Sequence, residues 1–249
     1  MTTLRQIALA SFTAPLALGL AACGSQPADG EAPEGEPVEN VAPPEGTEWV
    51  DTVTVTEADG YLMGNPDAPI KLIEYGSLTC GACANFAATG IEPLKEEYVA
   101  TGRVSYELRN QIHNAFDLTL ARLVRCGAPE SYHPLSEQVW LNLPSLMEGA
   151  QADPQALDAA MQQPEDQRFV AVAEAAGFLD FFAARGVSRD QARQCLSDAD
   201  SVEAIVTNSD TQSQELNVTG TPTFIINGRN VGTQSWATLE PMLQNAGAR

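Results

Sequence analysis

Cys80-Gly81-Ala82-Cys83 sets two thiols two residues apart, just after an apolar run at Ile70–Tyr75 and at the head of a helical pattern running from Ala82 to about Val99. At that junction the first sulfur sits over N–H groups that a helix leaves unpaired at its start, where the helix dipole also favours negative charge. A thiolate attacks a disulfide and a thiol hardly does, so the placement predicts a redox nucleophile. The same spacing would also serve as half a zinc site. Zinc requires two further ligands, and the chain has no second Cys-x-x-Cys and only His113 and His133, neither beside a cysteine pair. Redox exchange is the stronger reading.

The elements around the pair read as a sheet with a helical block set into it. Trp49–Thr56 alternates Val50, Val53 and Val55 with polar residues, as an edge strand does. Asp59-Gly60 and Gly64-Asn65-Pro66-Asp67 mark turns before Ile70–Tyr75, a nearly continuous apolar strand of the buried kind. Pro93 is expected to kink the helix after the cysteines by removing its bond to Thr89. Arg103–Leu108 reads as the next strand. From about 115 to 216 the pattern is helical, with Phe178, Phe181 and Phe182 as core aromatics, and His113 and His133 as surface or capping residues. Strand character returns at Thr223–Ile226, followed by Asn227-Gly228, which suits a type I′ turn, then Arg229–Val231 and a last helix at Trp236–Asn245. The fold class is α/β, with a helical insertion over about 112–216.

Of 249 residues, 13 are basic and 33 acidic, a formal charge of −20 that argues against nucleic acid and anionic membrane surfaces as partners. The N-terminus reads as a signal peptide over residues 1–22: Arg5 supplies a positive start and Ile7–Leu20 a short apolar core. Leu20-Ala21-Ala22-Cys23 resembles the bacterial lipobox, which implies that Cys23 is lipidated and anchors the protein to a lipid bilayer; ordinary cleavage beside an incidental thiol is the alternative. Gly24–Glu48 holds seven acidic residues, five prolines and no basic residue, so 23–48 is expected to be a disordered tether. Residues 49–249 then form the globular domain, in an oxidising compartment.

Five cysteines is an odd count for an exported chain. With Cys23 assigned to lipid and Cys80 with Cys83 to the redox pair, Cys126 and Cys195 remain. A bridge between them closes a loop of about 70 residues, worth roughly 4 kcal/mol in the chain-entropy treatment. Two buried, inert thiols are the other possibility.

Taken together, Ile73-Glu74-Tyr75-Gly76-Ser77-Leu78-Thr79-Cys80-Gly81-Ala82-Cys83, the helical insertion, and Val218-Thr219-Gly220-Thr221-Pro222-Thr223-Phe224-Ile225-Ile226-Asn227-Gly228 resemble the DsbA-like branch of the thioredoxin superfamily, over roughly Trp49 to Gln244. The resemblance implies a thioredoxin-like fold and thiol–disulfide exchange, with Cys80 as exposed nucleophile and Cys83 as buried resolving thiol. It further implies that Pro222 is cis and that Thr221 offers its backbone to an extended substrate. Glu74 is costly to bury in a central strand and its pKa should rise, which suits the proton shuttle to Cys83 that the resemblance implies; a partly solvated charge paired with Lys71 or another base is the alternative. The Gly-Ala dipeptide carries neither the histidine of strongly oxidising relatives nor the proline of thioredoxin. It predicts a Cys80 pKa less depressed than in a strong oxidase, and a mid-range potential.

The partners implied are cysteine-containing exported proteins as substrates and a membrane redox partner that recycles the cysteine pair, in the periplasm of a Gram-negative bacterium. Whether the enzyme oxidises, or reduces and isomerises, stays open. From another class, a metal chaperone or a binding lipoprotein on the same scaffold competes; no Met-rich or His-rich loop favours it.

Overall fold

The computed structural model describes Gly30 and residues 32–249. The signal segment 1–22 and Cys23 lie outside the described residues. One mixed sheet carries the architecture, in the order β1 (Val53–Val55), β2 (Tyr61–Met63), β4 (Val104–Asn110), β3 (Ile70–Gly76), β5 (Thr223–Ile226), β6 (Arg229–Gly232). Only β3 and β4 pair in parallel, and the helix between them, α1 (Gly81–Pro93), supplies the crossover. Between the two turns lies β2, paired antiparallel with β1 and β4; its three residues are too few to show a period in the sequence.

The central strand β3 takes the burial its sequence calls for. Ile70, Leu72 and Glu74 share one face and are at most 1% exposed, whereas Lys71 points the other way and is exposed. Pro93 closes α1, and the chain runs on as a π-helical turn over Leu94–Val99, so the expected kink is realised as a change of winding. At the β5–β6 turn Asn227 and Gly228 both have positive φ, 49° and 79°, as a type I′ turn requires.

The insertion is built from α2 (Ala115–Leu123), α3 (Tyr132–Leu141), α4 (Leu143–Ala150), α5 (Pro154–Met161), α6 (Glu165–Ala175), α7 (Phe178–Ala183), α8 (Arg189–Leu196) and α9 (Ala199–Glu215); α10 (Trp236–Asn245) follows the hairpin. Phe178 and Phe182 are fully buried in it. A disulfide joins Cys126, just past α2, to Cys195 in α8 with Cα atoms 5.9 Å apart. Among the described residues no helix is long and apolar enough to cross a membrane.

Two expectations change. His133 is not at the surface: it is 2% exposed, its Nε2 lies 2.9 Å from Tyr61 O, and burial holds its pKa down at about 4. Residues 32–48 have no regular secondary structure, as their composition implies, yet they form a strap along the domain rather than a free tether. Gly35 N donates to Asn245 O, Val38 N to Gly247 O and Val41 N to Thr101 O, each at 2.9 Å, and Trp49 Nε1 donates to Val41 O. The approach is close enough that a Cβ on Gly35 would run into Ala246 O, and one on Gly247 (φ +119°) into Glu36 O. Backbone pairing, which composition does not report, holds the strap.

Candidate active site

Cys80 is the N-cap of α1, with extended backbone (φ −90°, ψ 121°), and its sulfur accepts the Cys83 N–H at 3.4 Å. Cys83 is one turn further on and fully buried, whereas Cys80 is half-exposed between exposed Gly81 and the loop from β3. The Cys83 thiol, donating to the Cys80 sulfur, is the largest influence lowering the Cys80 pKa to about 5. Burial opposes it, while the Thr221 hydroxyl and the N–H groups of Cys83 and Ala82 add to it. The same thiol contact, seen from the other side, pushes Cys83 far above the ordinary thiol range, helped by burial and the nearby Glu74 charge. One sulfur is therefore an anion and its neighbour a protonated thiol, both at the mouth of a helix.

From β5 comes the opposite wall. The Thr221–Pro222 peptide is cis, and Thr221 O lies 3.3 Å from the Cys80 sulfur, where it accepts the proton of the neutral thiol. Thr223 then pairs with Tyr75, and Phe224 with Glu74, locking this loop to the strand that feeds the cysteines. The structure thus brings Thr221 to Cys80 from 141 positions away in sequence, with Pro222 beside it.

Glu74 lies under the pair, wholly buried. Its Oε2 accepts the Tyr106 hydroxyl at 2.7 Å, and its Oε1 has no hydrogen-bond partner among the described residues. Burial raises its pKa to about 8, against the Tyr106 bond, and the Cys80 charge raises it further. Pairing with Lys71 is ruled out, since the Lys71 ammonium bonds Pro66 O on the other side of the sheet. Cys126 and Cys195 stand apart from the site, on the insertion.

Three contributors escaped the sequence. Tyr106 lies opposite Leu72 in the parallel register, and only that register turns its hydroxyl toward Glu74. Asp117 and Trp140, both from the insertion, bond the loop ahead of Cys80. Asn114-Ala115-Phe116-Asp117 did carry a readable signal, a capping residue followed three positions later by an acid.

A Cys-x-x-Cys at a helix start, fed by a central strand and faced by a cis-proline loop, defines a protein of the thioredoxin fold. The chain belongs to the thioredoxin family, whose model matches residues 56–245. Among solved structures it is similar to a protein-disulfide isomerase from Novosphingobium aromaticivorans: 30% identity, TM-score 0.68, covering 74% of this chain and 94% of that one. The Wolbachia pipientis alpha-DsbA1 shares the fold at TM-score 0.62 and 24% identity, covering 78% of this chain and 94% of that one. A Rickettsia bellii protein, provisionally named a protein-disulfide oxidoreductase, is 26% identical over 177 residues; the match covers 71% of this chain but 60% of the relative.

Proposed function

We propose that this protein is an exported thiol–disulfide oxidoreductase acting on cysteine-containing proteins through Cys80 and Cys83. The observation that carries the reading is the asymmetry of the pair: an accessible sulfur stabilised as thiolate, beside a buried thiol held protonated. In the oxidised form a substrate thiolate attacks the Cys80 sulfur, the Cys80–Cys83 bond breaks, and Cys83 leaves as a thiolate that needs a proton. Glu74, protonated up to about pH 8 and buried beside it, supplies that proton. The substrate's second thiolate then attacks the mixed disulfide, leaving an oxidised substrate and the reduced pair; the reverse sequence reduces or isomerises. Thr221 and the cis Pro222 offer the backbone against which an extended substrate lies.

A Cys80 pKa of about 5 lies between the ~3.5 of a strong oxidant and the ~7 of a reductant of this fold. This supports a mid-range potential, as the Gly-Ala centre suggests. We place the protein in the periplasm, held to the membrane through lipid on Cys23 and recycled by a membrane redox partner. The test is Cys83→Ala in the full chain, which should accumulate mixed disulfides on Cys80 with exported proteins, together with the potential of the wild-type pair against glutathione. No trapped partner and no exchange with glutathione would defeat the proposal.

A further inference from the structure

We propose that Asp117 is a positioning residue for the nucleophile: its carboxylate reaches out of the helical insertion and fixes the loop Ser77–Thr79, and thereby the place of the Cys80 sulfur. The inference rests on reading Cys80 as the attacking thiolate. A cysteine has one side-chain rotor, so its sulfur goes where the backbone at 79–80 sends it. The N–H contact that steadies the Cys80 thiolate is long, 3.4 Å from Cys83 N, so a few tenths of an ångström would weaken it.

The loop connects β3 to α1, and its N–H groups have no ladder to join. Leu78 N donates instead to Asp117 Oδ1 at 2.8 Å. The Ser77 hydroxyl also bonds the Asp117 side chain, and His113 N donates to Oδ2 at 3.0 Å. Two neighbours tighten the same grip: Asn114 Nδ2 donates to Thr79 Oγ1 at 3.1 Å and Trp140 Nε1 to Ser77 O at 2.9 Å.

Asp117 is fully buried, and burial raises its pKa to about 6 against these bonds, so the carboxylate is kept at a free-energy cost. Capping α2 does not explain that cost. Asn114 already fills the role, accepting Asp117 N at 3.0 Å, and the freed carboxylate bonds a residue 39 positions upstream instead. The insertion is therefore more than a lid on the sheet: its first helix holds the strand-to-cysteine connection in place.

The experiment is Asp117→Asn in the reduced full chain, with Cys80 ionisation followed by thiolate absorbance and by the pH dependence of iodoacetamide alkylation, beside the thermal midpoint. Loosening the loop should raise the Cys80 midpoint by about one pH unit, a tenfold loss of thiolate in the titrating range. Removing a negative charge would by itself lower that midpoint. A lowered or an unchanged midpoint overturns the proposal, and an unchanged one with reduced thermal stability would mark a purely structural role. Should Asp117→Asn fail to fold, Thr79→Val removes the hydroxyl that Asn114 grips and leaves Asp117 in place. A smaller rise is then expected, and no rise overturns the proposal. A wild-type midpoint near 9 would instead defeat the nucleophile reading itself.

Discussion

Replacing Glu74 by Gln removes a buried charge while keeping the side chain's size and an acceptor for the Tyr106 hydroxyl. Burial lifts the Glu74 carboxyl from 4.5 to about 8. At ~1.36 kcal/mol per pH unit, ionising it in the folded protein costs about 5 kcal/mol relative to the unfolded chain. A carboxyl raised on folding keeps its proton after the unfolded chain has lost its own. Glu74 therefore takes stability away as pH climbs from 4.5 through about 8. Cys80 works in the opposite sense: lowered from 9.0 to about 5, its ionisation adds stability that is present above 9 and lost as pH falls through 5. In the wild type the two oppose each other, and the Gln variant removes the Glu74 part while leaving the other groups as they are. Guanidinium unfolding of both proteins, reduced, at pH 5, 6.5 and 8 separates them. The Gln variant should gain on the wild type with each step, by a few kcal/mol at pH 8. The new amide nitrogen takes over the unpartnered Oε1 position, so a constant offset between the curves is expected and carries no weight. Parallel curves across the range would refute the reasoning.

Three further outcomes follow from the geometry. Because the Cys83 thiol is the largest influence lowering Cys80, Cys83→Ala should raise the Cys80 alkylation midpoint from near 5 by at least about one unit; an unmoved midpoint contradicts that origin. His133, held near 4 by burial against an ordinary 6.5, stabilises the fold above pH 6.5 and loses that contribution as pH falls through 4. His133→Gln should therefore remove about 3 kcal/mol of acid sensitivity between pH 7 and 4, read by chemical unfolding, and an unchanged acid limb counts against it. Replacing both Cys126 and Cys195 by Ala opens a bridge spanning 69 positions and should cost roughly 4 kcal/mol in thermal or chemical unfolding. The Cys80 midpoint should stay where it is, and a shift there would show that the bridge reaches the site.

How much of this was legible in the sequence depends on the range over which each signal acts. The cysteine pair, the Asn227-Gly228 turn and the strand Ile70–Tyr75 are local statements about backbone and burial, and the structure places each as read. Glu74 was legible as a buried acid because alternation put it with Ile70 and Leu72. Its partner was not, because Tyr106 meets it only through the register of two parallel strands. Asp117 looked like an ordinary helix-start acid, and nothing local says that its oxygens turn toward Leu78. His133 lies in α3, where burial is decided by the neighbouring sheet and not by the helix's own pattern. The strap was misread for a related reason. Its side chains are those of a disordered segment, and its order comes from main-chain bonds to α10 and to Thr101.

That strap sets a length. Gly30 N is bonded to Asn230 O on β6, so the chain is already on the domain seven positions after Cys23. Fully extended, seven residues span at most about 25 Å. With Cys23 in a bilayer, the domain would be held within roughly its own diameter of the lipid, with the β6 edge toward the attachment point. A 26-residue free tether would let the cysteines sweep a wide volume; a leash of seven residues would keep them nearer the lipid surface. Substrates would then be met as they emerge from, or rest upon, that surface.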